Sequence, residues 1–261
     1  MPRIFDFTHA ILRRPGASVV KGLRAGGGTD PAFADVLAEH AGYAAALTEA
    51  GLTLTMLDPL EQFPDAIFVE DPALVFPEGA IVLKPGAPSR AAEGAFLRPA
   101  LAAQFGQVLD LPSGHADGGD VLVLPDKVLI GLSARTDRAG AEALAGLVEQ
   151  LGYTAVIAAT PAEVLHLKTA SSLLDEETVL STRALAETGI FAGYRVIEVP
   201  EGEEGGANVL RVNDRVLAGA GYSRILDALD AHGLTVVTLP NAAIAAIDAG
   251  FTCMSLRWRK G

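Results

Sequence analysis

The sequence predicts an α/β fold in which five ββαβ modules close into a ring, a five-bladed α/β-propeller around a pseudo-fivefold axis. Two observations predict it. One pattern recurs along the chain: a short apolar strand, a turn, a second strand, a small-residue segment ending in Arg, a helix and a third strand. The remaining copy is divided between the two ends of the chain, so pairing the last strand with the first leaves no free sheet edge.

The N-terminal part of the divided copy carries a second-strand pattern at Ile11–Leu12, a helical stretch from about Phe33 to Glu49, and a third strand at Leu52–Met56. The next module reads Pro72–Phe76, a Pro-Glu-Gly turn, Ala80–Leu83, the tag Pro88–Arg90, a helix to about Phe105, and Gln107–Leu109. The clearest copy follows. Val121–Leu124 and Val128–Ile130 flank the turn Pro125–Lys127, a good hairpin signal, and lead through Ser133–Arg135 to the helical AGAEALAGLVEQLG and Tyr153–Ile157. A degenerate copy runs Ser171–Leu174, Thr178–Leu180, Ser181–Arg183, a short helix and Tyr194–Glu198. The last complete one runs Asn208–Val212, Arg215–Leu217, Tyr222–Arg224, a helix through Ala231, and Leu234–Thr238. Phe251–Leu256 has the first-strand pattern with no successor, and it completes the divided copy. The expectation is one catalytic domain over residues 1–261.

Composition narrows the function classes. Half of the 261 residues are apolar and 20% are charged, as in a globular protein with a sizeable core. The net charge of −12 argues against a nucleic-acid partner, since phosphate binding needs clustered Lys and Arg, whereas an acidic field suits a small cationic substrate. No apolar run approaches the roughly 20 residues of a membrane span, so no membrane association is expected. The first sixteen residues lack an uninterrupted apolar stretch of leader type. With a single Cys, neither an internal disulfide nor a paired-cysteine metal site can form. The expected compartment is the cytoplasm, and no cofactor or metal is called for.

Residues just before the first strand of each module should meet at the axis. Those positions hold Glu70-Asp71, Asp117 to Asp120, His166, Asn208 and Asp248 to Cys253. Cleaving a C–N bond of a guanidinium needs a nucleophile, a proton donor for the leaving amine, and anions to hold the planar cation. Cys253 supplies the sulfur and His166 the acid/base. Asp71 and Asp117 can grip the nitrogens, and two half-reactions would pass through a thiouronium intermediate. Each residue alone has a plainer reading: Cys253 as core, His166 as structural, Lys168 as a solvated charge, Glu70-Asp71 as a salt-bridged loop, DGGD as a hairpin loop. Their shared module position is what favours a site. The glycines at Gly26 to Gly28 lack a following GK[ST] and read as a flexible lid rather than a phosphate loop.

FPDAIFVEDPALVF, PGAPSR, DGGDVL, LSARTDRAGAE, HLKT and TCMSLRW, in that order, resemble the dimethylarginine dimethylaminohydrolases over essentially the whole chain. That resemblance implies the pentein fold of the guanidino-group-modifying enzymes. It implies Cys253 as nucleophile, His166 as proton donor, and Glu70 and Asp71 as acids beside the guanidinium. Asp117 falls where such enzymes carry an acid. It implies Arg90 and Arg135 as holders of the substrate α-carboxylate, and Asp65 with the carbonyls of Leu23 and Ile247 as contacts of the α-amino group. Phe68, one strand period before Glu70, either lines the pocket as an apolar wall for N-methyl groups or faces the core. Both readings stand at this point.

The implied reaction converts Nω-methylated L-arginine to L-citrulline and a methylamine. An arginine deiminase is the nearest rival, although such enzymes carry a helical insertion for which this chain has no room. A non-catalytic ribosome-binding pentein module is opposed by the acidic charge and by the Cys–His pair. A homodimer is compatible with the sequence, which carries no signal that decides it.

Overall fold

The computed structural model describes residues 3–24 and 27–260. Within them, the strands form five three-stranded sheets, one per module. The first sheet joins the two ends of the chain: β1 (His9–Arg13) lies between β2 (Thr53–Leu57) and the final strand β15 (Leu256–Trp258). The others are β3 (Ala73–Phe76), β4 (Gly79–Val82), β5 (Val108–Asp110); β6 (Val121–Val123), β7 (Val128–Leu132), β8 (Ala155–Ala159); β9 (Ser171–Leu173), β10 (Thr178–Ser181), β11 (Arg195–Glu198); and β12 (Leu210–Val212), β13 (Arg215–Gly219), β14 (Thr235–Leu239). In every sheet the central strand pairs antiparallel with the first strand of the module and parallel with the third. Short turns join the antiparallel pairs of the four continuous modules, while β1 and β15 pair across the two ends of the chain. The parallel pairs need crossovers, supplied by helices α1 (Phe33–Glu49), α2 (Glu93–Gln104), α3 (Arg138–Gln150), α4 (Arg183–Ala186) and α5 (Ser223–Ala231).

Each apolar cluster draws on two neighbouring sheets, and this couples the modules into a ring. Leu74, Phe76 and Ile81 pack with Val121, Val128 and Ile130. Leu122 and Leu129 pack with Leu173 and Val179. Leu174 and Leu180 pack with Val209 and Val216. The ring closes through Ala10 and Leu12 against Leu210 and Leu217 under α1, and through Ile11, Leu256 and Trp258 against Val69 and Ala73. Fully burying such a side chain stabilises by about 1.5–3 kcal/mol. A lone module would leave these side chains without their partners from the neighbouring sheet.

The last strand differs from expectation. It begins at Leu256, and residues 251–254 form a turn instead of a strand. Side chains and turn contacts take the backbone groups a ladder would have used. The Cys253 carbonyl accepts the Glu70 N–H (3.2 Å), and Arg257 donates to the Thr252 and Ser255 carbonyls (3.0 and 2.6 Å). Cys253 is thereby held at the axis on a turn.

Candidate active site

A cavity of ≈130 Å³ opens at the axis, lined by Cys253, His166, Asp71, Phe68 and Arg135. Leu23, Asp65, Arg90 and Ile247 also line it, so the structure gathers every residue given a catalytic or substrate-binding role from the sequence except Asp117 and Glu70. A second cavity of ≈300 Å³ lies on the other side of the Cys253 turn and contains neither Cys253 nor His166. The reactive groups belong to the smaller one.

His166 caps a short 3₁₀ turn, Leu167–Thr169, where Thr169 Oγ1 accepts the His166 N–H and donates to its carbonyl (3.1 and 2.6 Å). The buried Asp120 anchors this turn by accepting the Leu167 N–H (3.0 Å), while Ser133 and Thr136 donate hydroxyls to its other oxygen. His166 Nε2 lies 3.0 Å from Asp117 Oδ2, and Asp117 Oδ1 accepts the Gly86 N–H (2.7 Å). Asp117 is fully buried with both oxygens engaged. It therefore holds the His166 ring and is not free to grip a guanidinium, a role the sequence reading also allows. Burial opposes the imidazolium, but the Asp117 hydrogen bond and the fields of Asp71 and Asp120 outweigh it, raising the His166 pKa to about 9. Gly119 makes this packing possible, since a Cβ there would lie 2.8 Å from His166 Cγ and 3.0 Å from Asp71 Oδ1.

Cys253 is 8% exposed. Burial, then the charges of Glu70 and Asp71, push its thiol up to about 12. The Asn208 carboxamide N–H points at its sulfur (Nδ2–Sγ 3.7 Å).

Glu70 corrects the sequence reading. Its side chain turns away from the smaller cavity and lines the larger one, with Oε1 2.7 Å from Lys168 Nζ and 3.2 Å from Arg257 Nη2, and Oε2 accepting the Thr252 hydroxyl (2.9 Å). Three partners commit this carboxylate, so it serves as a buried counter-ion behind the Cys253 turn. Lys168 is corrected with it: 8% exposed and paired, it is no solvated charge.

The two arginines also part company. The Arg90 guanidinium is buried and bonded to Asp71, to Glu93 (Nη2–Oε2 2.8 Å) and to the Phe68 and Asp65 carbonyls (2.9 and 3.2 Å). Its main engagement is with protein groups, and its pKa rises on their account despite burial. Arg135 is half-buried at the cavity wall. Asp71 accepts from Arg90 and from the Gly119 N–H (3.2 Å); burial alone would raise its pKa, but Arg90 and His166 hold it below the usual carboxylate range. Asp65 Oδ1 accepts the Leu23 N–H (2.9 Å), while burial raises its carboxyl. Phe68, 4% exposed, faces the cavity as well as the core cluster that contains Cys253. Of the glycines read as a lid, Gly26 lies outside the described residues.

Asp71, Asp117 and His166 present ligand atoms within 4.8 Å of one another, a grouping with metal-ligand chemistry. Arg90 on Asp71 and the proton on His166 both oppose a cation there. Asn208, Thr252, Arg257 and Asp120 shape the site without having been assigned roles from the sequence. Asn208, Asp120 and Thr252 carried a signal, through their module positions, and Arg257 carried none.

Residues 38–246 match the arginine deiminase family model. The chain is 34% identical to N(G),N(G)-dimethylarginine dimethylaminohydrolase of Pseudomonas aeruginosa, covering 97% of this chain and 100% of that one. It is 32% identical to the like-named protein of Streptomyces coelicolor, covering 96% and 97%. A solved structure of the Pseudomonas aeruginosa enzyme, a cysteine-to-serine variant in complex with citrulline, superposes with a TM-score of 0.94 at 34% identity, over 97% of this chain and 100% of that one. No helix among the described residues is long and apolar enough to cross a membrane. With five closed ββαβ modules, a Cys–His pair on their axis and relatives matched end to end, the chain belongs to the dimethylarginine dimethylaminohydrolase family.

Proposed function

We propose that the chain acts as one catalytic unit that hydrolyses Nω-methylated L-arginine to L-citrulline and methylamine or dimethylamine. The observation that carries this reading is the only Cys of the chain opening, with an Asp-paired His, into a small cavity that also holds a carboxylate, an arginine and an apolar ring. The citrulline complex of the Pseudomonas aeruginosa relative supports the product.

The guanidinium would enter as a cation and sit over Asp71, with the amino-acid end toward Arg135 and Asp65. Burial, and then Glu70 and Asp71, raise the Cys253 thiol; the positive charge of the substrate would offset the two carboxylates, so the thiolate forms as substrate binds and its proton leaves to solvent. Sγ attacks the guanidinium carbon. His166, still protonated at neutral pH, gives its proton to the methylated nitrogen, and the C–N bond breaks to release the amine. The planar thiouronium that remains is attacked by water, whose proton passes to His166, and the C–S bond breaks to leave citrulline and free Cys253. Phe68 supplies a dry wall for the N-methyl groups. A free thiol as nucleophile suits a reducing cytoplasm.

Citrulline release from arginine, monomethylarginine and asymmetric dimethylarginine, measured side by side, tests the substrate class. Turnover of methylated substrates should dominate, and acid quenching should trap an adduct on the Cys253 peptide. Turnover of arginine alone would make the chain a deiminase, and citrulline formation by Cys253→Ser would end the covalent mechanism.

A further inference from the structure

We propose that Asn208 is a further catalytic residue, whose carboxamide N–H holds the Cys253 sulfur and stabilises it as a thiolate. The inference rests on reading Cys253 as the nucleophile. Asn208 stands two residues before β12, at the module position that in other blades holds Asp117–Asp120 and His166, and it is 6% exposed.

Its amide orientation is fixed by its neighbours. Asn208 Oδ1 accepts the Thr252 N–H (3.0 Å), a donor with no reason to face an NH₂ group. Nδ2 must then point the other way, toward Thr252 Oγ1 (3.2 Å) and Cys253 Sγ (3.7 Å). The Thr252 hydroxyl accepts from Asn208 and passes its own hydrogen to Glu70 Oε2 (2.9 Å), so the donor direction runs unbroken from the sulfur's neighbour to a buried carboxylate. Gly250 completes the fit: a Cβ there would lie 2.4 Å from Asn208 Cγ and drive the amide off the sulfur.

The charges facing Cys253 make such a donor valuable. Glu70 and Asp71 oppose a thiolate, and Lys168 favours it but is already tied to Glu70. His166 lines the same cavity with its Nε2 turned to Asp117. A neutral donor aimed at the sulfur stabilises the anion without adding a charge that would repel a cationic substrate.

Cys253 is the only cysteine, so iodoacetamide alkylation of the full chain reads its thiolate directly and needs no substrate. Rates measured across pH should show a midpoint that rises by about one unit in Asn208→Ala, a ten-fold loss of thiolate at any pH below it. The rise should be larger in Asn208→Asp, which keeps the Thr252 contact and replaces the donor with an anionic oxygen. Loss of kcat at unchanged KM should follow in both. A folded Asn208→Ala or Asn208→Asp with the wild-type midpoint would overturn the proposal and leave Asn208 a structural tie to Thr252. Should neither variant fold, the wild type decides: the Asn208 side-chain amide resonance must move with the Cys253 midpoint and stay still in Cys253→Ser, and a resonance indifferent to it overturns the proposal. Turnover by Cys253→Ser would instead remove the nucleophile reading, a separate failure.

Discussion

Replacing Asp117 by Asn should disarm His166, the proposed proton donor, while leaving the fold intact. The wild-type carboxylate accepts the Gly86 N–H on Oδ1 and faces His166 Nε2 with Oδ2. In Asp117→Asn the carboxamide oxygen must stay on the Gly86 N–H, because a buried backbone donor left unsatisfied costs about 1–3 kcal/mol. Its NH₂ then faces Nε2, which has to accept, and an accepting Nε2 means a neutral ring. The gap between a His166 pKa of about 9 and the ordinary 6.5 corresponds to on the order of 3 kcal/mol of preference for the imidazolium. Turning a hydrogen bond that favours the charged form into one that favours the neutral form should carry the pKa below 6.5, since burial, now less opposed, lowers it. ¹³C-histidine NMR titration of both proteins, with His166 assigned by His166→Gln, measures this. At pH 7.5 kcat should fall by about 10²–10⁴ with little change in KM. A His166 titration still near 9 in the variant would refute the reasoning and move the source of the raised pKa to Asp71 and Asp120.

The same raised pKa links stability to pH. The stabilisation from His166 is full below 6.5 and lost as pH climbs through 9, so urea unfolding should show a decline over that window, on the order of 3 kcal/mol, that His166→Gln lacks. Glu70→Gln should leave Lys168 and Arg257 without their buried carboxylate and destabilise by about 3–5 kcal/mol, yet speed Cys253 alkylation at a given pH by removing a charge that opposes the thiolate. Arg135→Ala should raise KM for methylated arginine at nearly constant kcat, and a fall in kcat alone would detach Arg135 from carboxylate binding. Phe68→Ala should lower kcat/KM for dimethylarginine relative to arginine by about 10–200-fold, and equal losses on both would make Phe68 structural.

Much of this architecture was legible because the chain repeats. Each module spells its strands in apolar runs and its turns in Pro, Gly, Asn and Asp, so pattern alone located the strand pairs and the helices between them. Closure was legible because Phe251–Leu256 lacked a partner that Ile11–Leu12 could supply, and the observed register pairs Ile11 with Leu256. The start of the last strand was misread for a physical reason. An apolar run through Phe251 and Met254 looks like a strand, but its carbonyls are claimed by the Glu70 N–H, far away in sequence, and by the Arg257 side chain folding back on the turn.

The site divides along the same line. Position in the module predicted which residues reach the axis, and that suffices for Cys253, His166 and Asp71. It says nothing of which side of the axis they face or which counter-ion they meet. Glu70 and Asp71 are neighbours, and neighbouring residues leave the backbone in different directions: Asp71 lines the cavity of Cys253, whereas Glu70 lines the larger cavity beyond the Cys253 turn. The cations divide to match, Arg90 going to Asp71 and Lys168 with Arg257 to Glu70. Two buried carboxylates thus sit within reach of one sulfur, each already paired. Burial first, and then these two charges, push the resting thiol up to about 12, and on the mechanism proposed above its ionisation depends on the arrival of a further cation. A neutral isostere of the substrate, however well its ends fit Arg135 and Asp65, should therefore bind without raising the alkylation rate of Cys253, whereas a non-reactive guanidinium that leaves the sulfur accessible should raise it.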